Sequence, residues 1–246
     1  MIEPRILLDF DCFGITGIGW SGKYSKTQTN PKMKVKLQEL TGNWSWGTAL
    51  DLHTVSSSPI FDETGTIIDW NTKRTEIGEE LYQLKYRDED AKIKAERVEK
   101  IAGEAAKVII NLIETFAERY EKKYGKPFEI YCVIPIPPSK QRAYQPVEAL
   151  AKRLAEKLNI SLDLNTLKKV KSTAQLKEIK NANERTKALE GAFHIQEGAL
   201  LDKNVLLFDD LYRSGATLTA ITEIVKSKGK AKNVLVLTVT KTRSKR

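Results

Sequence analysis

Cysteine is scarce in this chain. Cys12 and Cys132 are its only two, too few and too far apart for a disulfide framework or a four-cysteine zinc site. Histidine is equally rare. His53 and His194 each lack a ligand-spaced partner, so both read as satisfied structural residues. No apolar run approaches the ~20 residues a membrane span needs. The first residues also lack the basic, apolar and small-residue zones of a signal peptide. The expectation is a soluble protein of the reducing cytoplasm with no membrane partner. At 246 residues the chain has room for one ordinary α/β domain and an appendage.

One sign of charge is in excess. Lys and Arg number 41 against 32 Asp and Glu, for a net charge of +9, which favours anionic partners such as phosphates, nucleic acid or acidic lipid. Part of the excess is local, in Lys168–Lys171 and in the tail Lys241–Arg246. A solvated basic surface gives the same count, so charge alone leaves nucleic acid an open possibility.

Up to about Thr75 the pattern keeps no sustained period, and residues 1–75 read as an extension of short strands and loops. Arg5–Phe10 and Thr48–Val55 are its best strand candidates. Residues 76–246 read as the main domain. Glu76–Tyr86 is helical, and a long amphipathic helix follows over 91–124. In it Val98, Ile101, Ala105, Val108, Ile109, Leu112, Phe116 and Tyr120 recur at spacings of three and four, one apolar stripe. Gly103 is a weak point in that helix, and Gly125-Lys126-Pro127 ends it. Over 129–246 strands and helices alternate. Strands are expected at Glu129–Ile134, near Leu162, at Val205–Phe208 and at Asn233–Val239, with helices at Tyr144–Leu158 and Gly215–Ser227. The apolar strands argue a parallel sheet covered on both faces, a Rossmann-like α/β fold.

The densest chemistry lies in VLLFDDLYRSGATL, Val205–Leu218. An apolar strand ends in two acids, and a short Ser-Gly loop then enters a helix. In an open parallel sheet, ligands bind beyond the carboxyl ends of the strands. Backbone N–H groups of this loop, with Ser214 and Thr217 hydroxyls and the positive end of the helix, form a phosphate cradle. Gly215 lets the backbone come close. Asp209 and Asp210 are placed to accept hydrogen bonds from vicinal hydroxyls. A phosphate site beside a diol site describes a ribose 5-phosphate. Plain helix capping can also produce acids before a turn and helix, but it does not require the whole ordered string.

This segment resembles the phosphoribosyl pyrophosphate (PRPP) signature of type I phosphoribosyltransferases. Tyr131–Leu158, with its proline-rich strand end, basic loop and Ala151–Ala155 helix face, resembles the corresponding part of the competence-protein F family. Lys168–Ile195, with Gln175, Leu176, Glu184-Arg185 and Gly191-Ala192-Phe193 in order, resembles that family's mobile hood. Leu81–Tyr86 resembles the helix preceding its core. The resemblance implies a type I phosphoribosyltransferase fold over about 76–246. It implies that Asp209 and Asp210 hold the ribose hydroxyls as the catalytic pair, and that Arg213, Ser214, Gly215, Ala216 and Thr217 hold the 5-phosphate. Pro137, Ser139 and Lys140 would meet the pyrophosphate, with Lys171 and Arg185 closing over it. Mg²⁺ would be carried by the donor's own oxygens, with no protein metal site.

The departures from the pattern matter too. Arg213 stands where hypoxanthine-guanine-type enzymes carry an acid, which argues against 6-oxopurine salvage. Pro146 and Ala188 replace the Gln and Asn of the competence family. The chain also lacks the cysteine-rich zinc module with which that family often begins.

Other patterns carry less. Arg5–Gly14 is similar to the Asp-x-Asp loop of haloacid dehalogenase-like phosphatases, but Phe13 departs from it and no later segment completes that site. Trp44 and Trp46 suit core packing better than base stacking. Ala49–Ser58 is distinctive but suggests no mechanism. The reading is Mg²⁺-dependent transfer of a phosphoribosyl group from PRPP to a small-molecule nitrogen acceptor, releasing pyrophosphate. Its alternative is a non-catalytic PRPP or nucleotide binder, or a nucleic-acid-associated competence-type factor. A homodimer is compatible with either, and the acceptor is not legible.

Overall fold

The computed structural model describes residues 33–138, 142–171, 189 and 191–243. In chain order its elements are β1 (Gln38–Glu39), β2 (Trp46–Leu52), β3 (Thr54–Phe61), β4 (Ile67–Arg74), α1 (Glu76–Tyr86), α2 (Ala91–Tyr124) and β5 (Cys132–Pro135). Then come α3 (Pro146–Leu158), β6 (Ser161–Leu162), β7 (Lys168–Lys169), β8 (Phe193–His194), β9 (Asn204–Tyr212), α4 (Ala216–Ser227) and β10 (Asn233–Lys241).

Six strands form one sheet in the order β1-β2-β10-β9-β5-β6. All neighbours run parallel except β1, which pairs antiparallel with β2 at the edge. The fully apolar runs in β9 and β10 follow from this position, because central parallel strands are covered on both faces. Leu206 and Phe208 pack with α1, α2 and α3, whereas Val205 and Leu207 pack against α4. That period of two divides one strand between two cores. Phe208 is wholly buried, and removing such a side chain costs about 3–5 kcal/mol.

The boundary expected at residue 75 does not hold. β2 lies inside the central sheet, bonded along its length to β10. Chain contacts divide instead between Asn30 and Pro31, and the second unit, Pro31–Arg246, contains every element above. The strand expected over Thr48–Val55 is broken at His53, where β2 ends and the chain turns into the antiparallel β3–β4 hairpin. That hairpin is a separate two-stranded sheet. Its Val55, Ile60, Phe61, Ile67, Ile68 and Trp70 are exposed. The strand Arg5–Phe10 and the phosphatase-like loop lie outside the described residues.

α2 is a single helix of 34 residues. Asp90 caps it by accepting from the Lys92 and Ile93 N–H groups, and Gly125 ends it with φ 67°, a left-handed terminus suited to glycine. Gly103 does not break it, because that position faces open space and costs only its backbone entropy, about 1 kcal/mol. The apolar stripe faces the sheet as its spacing requires, with Val98, Ile101, Ala105, Ile109 and Leu112 buried. Among the described residues no helix is long and apolar enough to cross a membrane.

Candidate active site

Because β2, β10, β9 and β5 run parallel, their carboxyl ends share one edge of the sheet. The register sets Asp209 beside Thr238 and Leu211 beside Thr240, while Phe208 lies beside Pro135. β9 does not stop at Phe208 as its apolar run suggests. It continues through both acids to Tyr212, because Leu211 and Tyr212 still pair with Thr240 and Lys241.

The acid pair is asymmetric. Asp210 Oδ2 accepts from Lys85 Nζ at 2.6 Å, and both side chains are largely buried. Among the described residues Asp209 has no such ion-paired cation. Its Oδ1 accepts from the Asp210 N–H at 2.8 Å. Burial, reinforced by repulsion from Asp210, raises its carboxyl to about 8, which favours its protonated form beside the ion-paired Asp210. One can donate a hydrogen bond to a hydroxyl and the other can accept one.

Past Tyr212 the chain bends through Arg213 and Ser214, both exposed, to Gly215 at φ 76°. α4 starts at the next residue, and no side chain caps it. Its first N–H groups therefore point past Gly215 without a side-chain acceptor, at the positive end of the helix. Thr217 sits in that first turn. The Tyr212 ring folds back over the bend, and a Cβ added at Gly215 would come within 2.6 Å of its hydroxyl oxygen. Trp44 meets the Tyr212 ring edge-on at 6.4 Å, while its own indole N–H donates to the Leu40 carbonyl. Trp44 is thus a packing residue.

Beside β9, the Ile136 N–H donates to the Phe208 carbonyl at 2.9 Å, which sets Pro137 next to the same edge. Ser139, Lys140 and Arg185 lie outside the described residues. Lys171 follows β7. Its N–H bonds to the Ala192 carbonyl, and its ammonium approaches Gly191. It makes no ion pair or hydrogen bond with Asp209 or Asp210. Among the described residues no group of three or more His, Cys, Asp or Glu side chains could hold a metal ion. The Cys132 thiol is buried and pushed up to about 12, too high to act as a nucleophile at neutral pH.

Two residues of this edge were missed in the sequence, and a third was read as structural only. Lys85 belongs to the segment Leu81–Tyr86, singled out for its order. Leu81 and Leu84 are buried, and that anchoring delivers Lys85 to the strand ends. Thr240 ends β10 as an ordinary strand residue. His53, expected to be structural, follows β2 at the same edge. Its N–H donates to the Lys241 carbonyl, and its Nδ1 lies 3.2 Å from Thr240 Oγ1. Burial, with Arg74 and Lys85 nearby, holds the imidazole below its ordinary 6.5. His194, by contrast, is exposed on β8; it is not a buried structural histidine.

No family model matches this chain, and no curated protein does. Solved structures similar to it include a hypoxanthine phosphoribosyltransferase from Staphylococcus aureus in a tetragonal crystal form. There the identity is 19%, over 58% of this chain and 62% of that one, with a TM-score of 0.30. The orthorhombic form gives 13% identity over 62% of this chain and 77% of that one, with a TM-score of 0.34. The chain thus spans less than two thirds of the first of these.

Proposed function

We propose that the protein is a phosphoribosyltransferase of the type I superfamily, similar to the competence-protein F family. It binds PRPP at the carboxyl ends of β9 and β10 and transfers the phosphoribosyl group to a small nitrogen nucleophile. The observation that carries this reading is the uncapped start of α4, one bend away from an acid pair of which only Asp210 is ion-paired. The α4 N–H groups, with Ser214 and Thr217, take the 5-phosphate. Asp209 and Asp210 bind the ribose hydroxyls, and Lys85 fixes the second acid in place. Pyrophosphate lies toward Pro137, with Ser139 and Lys140 as its proposed donors and Lys171 and Arg185 as closing cations.

Transfer through an oxocarbenium-like transition state needs chiefly positioning and stabilisation of the departing pyrophosphate. Mg²⁺ fits as an ion brought by the donor's oxygens, since it keeps its waters and needs few protein ligands. It would neutralise charge on the pyrophosphate. This chain's residues bind and orient the ribose phosphate.

A second reading, a nucleotide or nucleic-acid binder without turnover, is favoured by one observation. Tyr86 is exposed and stands 5.4 Å from Tyr82, with Lys85 at 5.7 Å and Arg142 at 5.9 Å from its ring. Such rings can stack bases.

The deciding test is thermal unfolding with PRPP or ribose 5-phosphate in the presence of Mg²⁺. A ligand at about 100 times its dissociation constant adds about 2.7 kcal/mol. Both ligands are expected to raise the melting midpoint, and no shift from either at millimolar concentration would sink the proposal.

A further inference from the structure

Attack by a neutral nitrogen on C1′ of PRPP leaves a proton to be removed, and few groups at this edge can take it. Within the bend and the start of α4, from Leu211 to Thr217, there is no carboxylate or imidazole. Asp210 is tied to Lys85, and Asp209 accepts from the Asp210 N–H and is read as a ribose ligand. Asp51 accepts from the Lys36 and Leu52 N–H groups. Glu79 is held by Arg74 and Gln83.

His53 is different, and its contacts suit one tautomer. The Asp210 carbonyl can only accept, and the Thr240 hydroxyl lies 3.3 Å from it, placed to give its proton there. Thr240 Oγ1 is then left to accept Nδ1–H from His53, at 3.2 Å. A neutral imidazole bonded in this way carries its lone pair on Nε2. Among the described residues Nε2 has no partner. Thr240 is wholly buried, and the His53 N–H is pinned to the Lys241 carbonyl, so the ring is held from two sides.

Resting on the phosphoribosyl-transfer reading, we propose that His53 is the general base of this site, taking the proton of the incoming nitrogen nucleophile on Nε2. The nitrogen bonds to C1′ as the C1′–O bond breaks. Pyrophosphate departs with the bonding pair, and the N–H proton passes to Nε2. The charged groups that face the ring are Arg74 from β4, Lys85 and Glu79 from α1, and Asp210 from β9. Burial first, and the two cations after it, favour the neutral resting imidazole and hasten loss of the captured proton to solvent.

The test uses the fact that the chain has only two histidines. In a His194→Gln variant, long-range ¹H–¹⁵N spectra report the His53 ring alone. The expected result is a neutral ring at pH 7 with its proton on Nδ1, a midpoint below 6.5, and ¹⁵N shifts that move when PRPP and Mg²⁺ are added. If PRPP stabilises the protein but the ring carries its proton on Nε2, or ignores PRPP, the assignment of His53 falls while the transfer reading stands. If PRPP does not bind at all, both fall together. For any nucleophile that turns over in the wild type, His53→Asn keeps a donor toward Thr240 but has no base. It should leave PRPP stabilisation intact, slow pyrophosphate release about 100-fold or more and remove the acid limb of the pH profile. An unchanged rate and profile would overturn the proposal.

Discussion

Lys85 on α1 and Asp210 on β9, 125 positions apart, meet at 2.6 Å. The pair neutralises one of two adjacent acids before any ligand arrives, and it ties the first helix of the main core to the strand that ends in the site. With both partners largely buried, removing one leaves a charge uncompensated. Lys85→Met is therefore expected to destabilise the protein by about 2–3 kcal/mol. The double variant Lys85→Met with Asp210→Asn should regain most of that loss. Urea unfolding of the three proteins checks it, and a double variant no more stable than Lys85→Met would show that the lysine acts through packing alone.

Asp209 sets a pH dependence with a definite sign. Its carboxyl is raised in the folded protein, so the unfolded chain gives up the proton first. The stability it contributes is complete below the ordinary carboxylate range and is lost as pH rises through about 8. Asp209→Asn keeps the oxygen that accepts from the Asp210 N–H and removes the titration. Melting curves should show the variant more stable than the wild type at pH 7. The gap should widen up to about pH 8 and close toward pH 4.

Gly215 is required twice, by its φ of 76° and by the Tyr212 ring against it. Gly215→Ala is expected to cost about 1–3 kcal/mol, a fall of several degrees in the melting midpoint for a chain of this size. It should also weaken stabilisation by ribose 5-phosphate, as the bend moves away from the α4 N–H groups. Gly103→Ala, at an open helical position, is the control and should stabilise by up to about 1 kcal/mol.

Tyr86 separates the two functional readings. For a transferase, PRPP should stabilise the wild type and Tyr86→Ala alike, and a single-stranded oligonucleotide should stabilise neither. For a nucleic-acid binder, the oligonucleotide should bind with an affinity that falls steeply with salt. The variant should then lose about 1–3 kcal/mol for each base that had stacked. Fluorescence anisotropy at two salt concentrations distinguishes them.

The sequence made the two-sided parallel sheet legible because Val205–Phe208 and Val234–Leu237 are apolar without alternation, and the long helix legible because its stripe is local. The acid pair and the Ser-Gly bend were readable for the same reason, since strand, acids, turn and helix lie within fourteen consecutive residues. What stayed hidden depends on distant pairing. Nothing near Trp46–Leu52 announces that its partner is β10, so the part of the main unit before residue 76 looked like an appendage. His53 and Thr240 are 187 positions apart, and neither has a neighbour in sequence that suggests the other. Lys85 was visible as part of a pattern, but its partner was not.

The place of β10 between β9 and β2 has a consequence for how the protein is made. Ser45 and Asn233, 188 positions apart, hydrogen-bond where β2 and β10 begin. At roughly 5–20 residues per second, a ribosome that has finished β2 needs about 10–40 s to supply the strand that holds it. Until then β2 and β9 each present an unpaired apolar edge, the kind of surface that recruits other chains. A chain cut short before residue 233 would lack the strand that joins β2 to β9 and could not close its sheet.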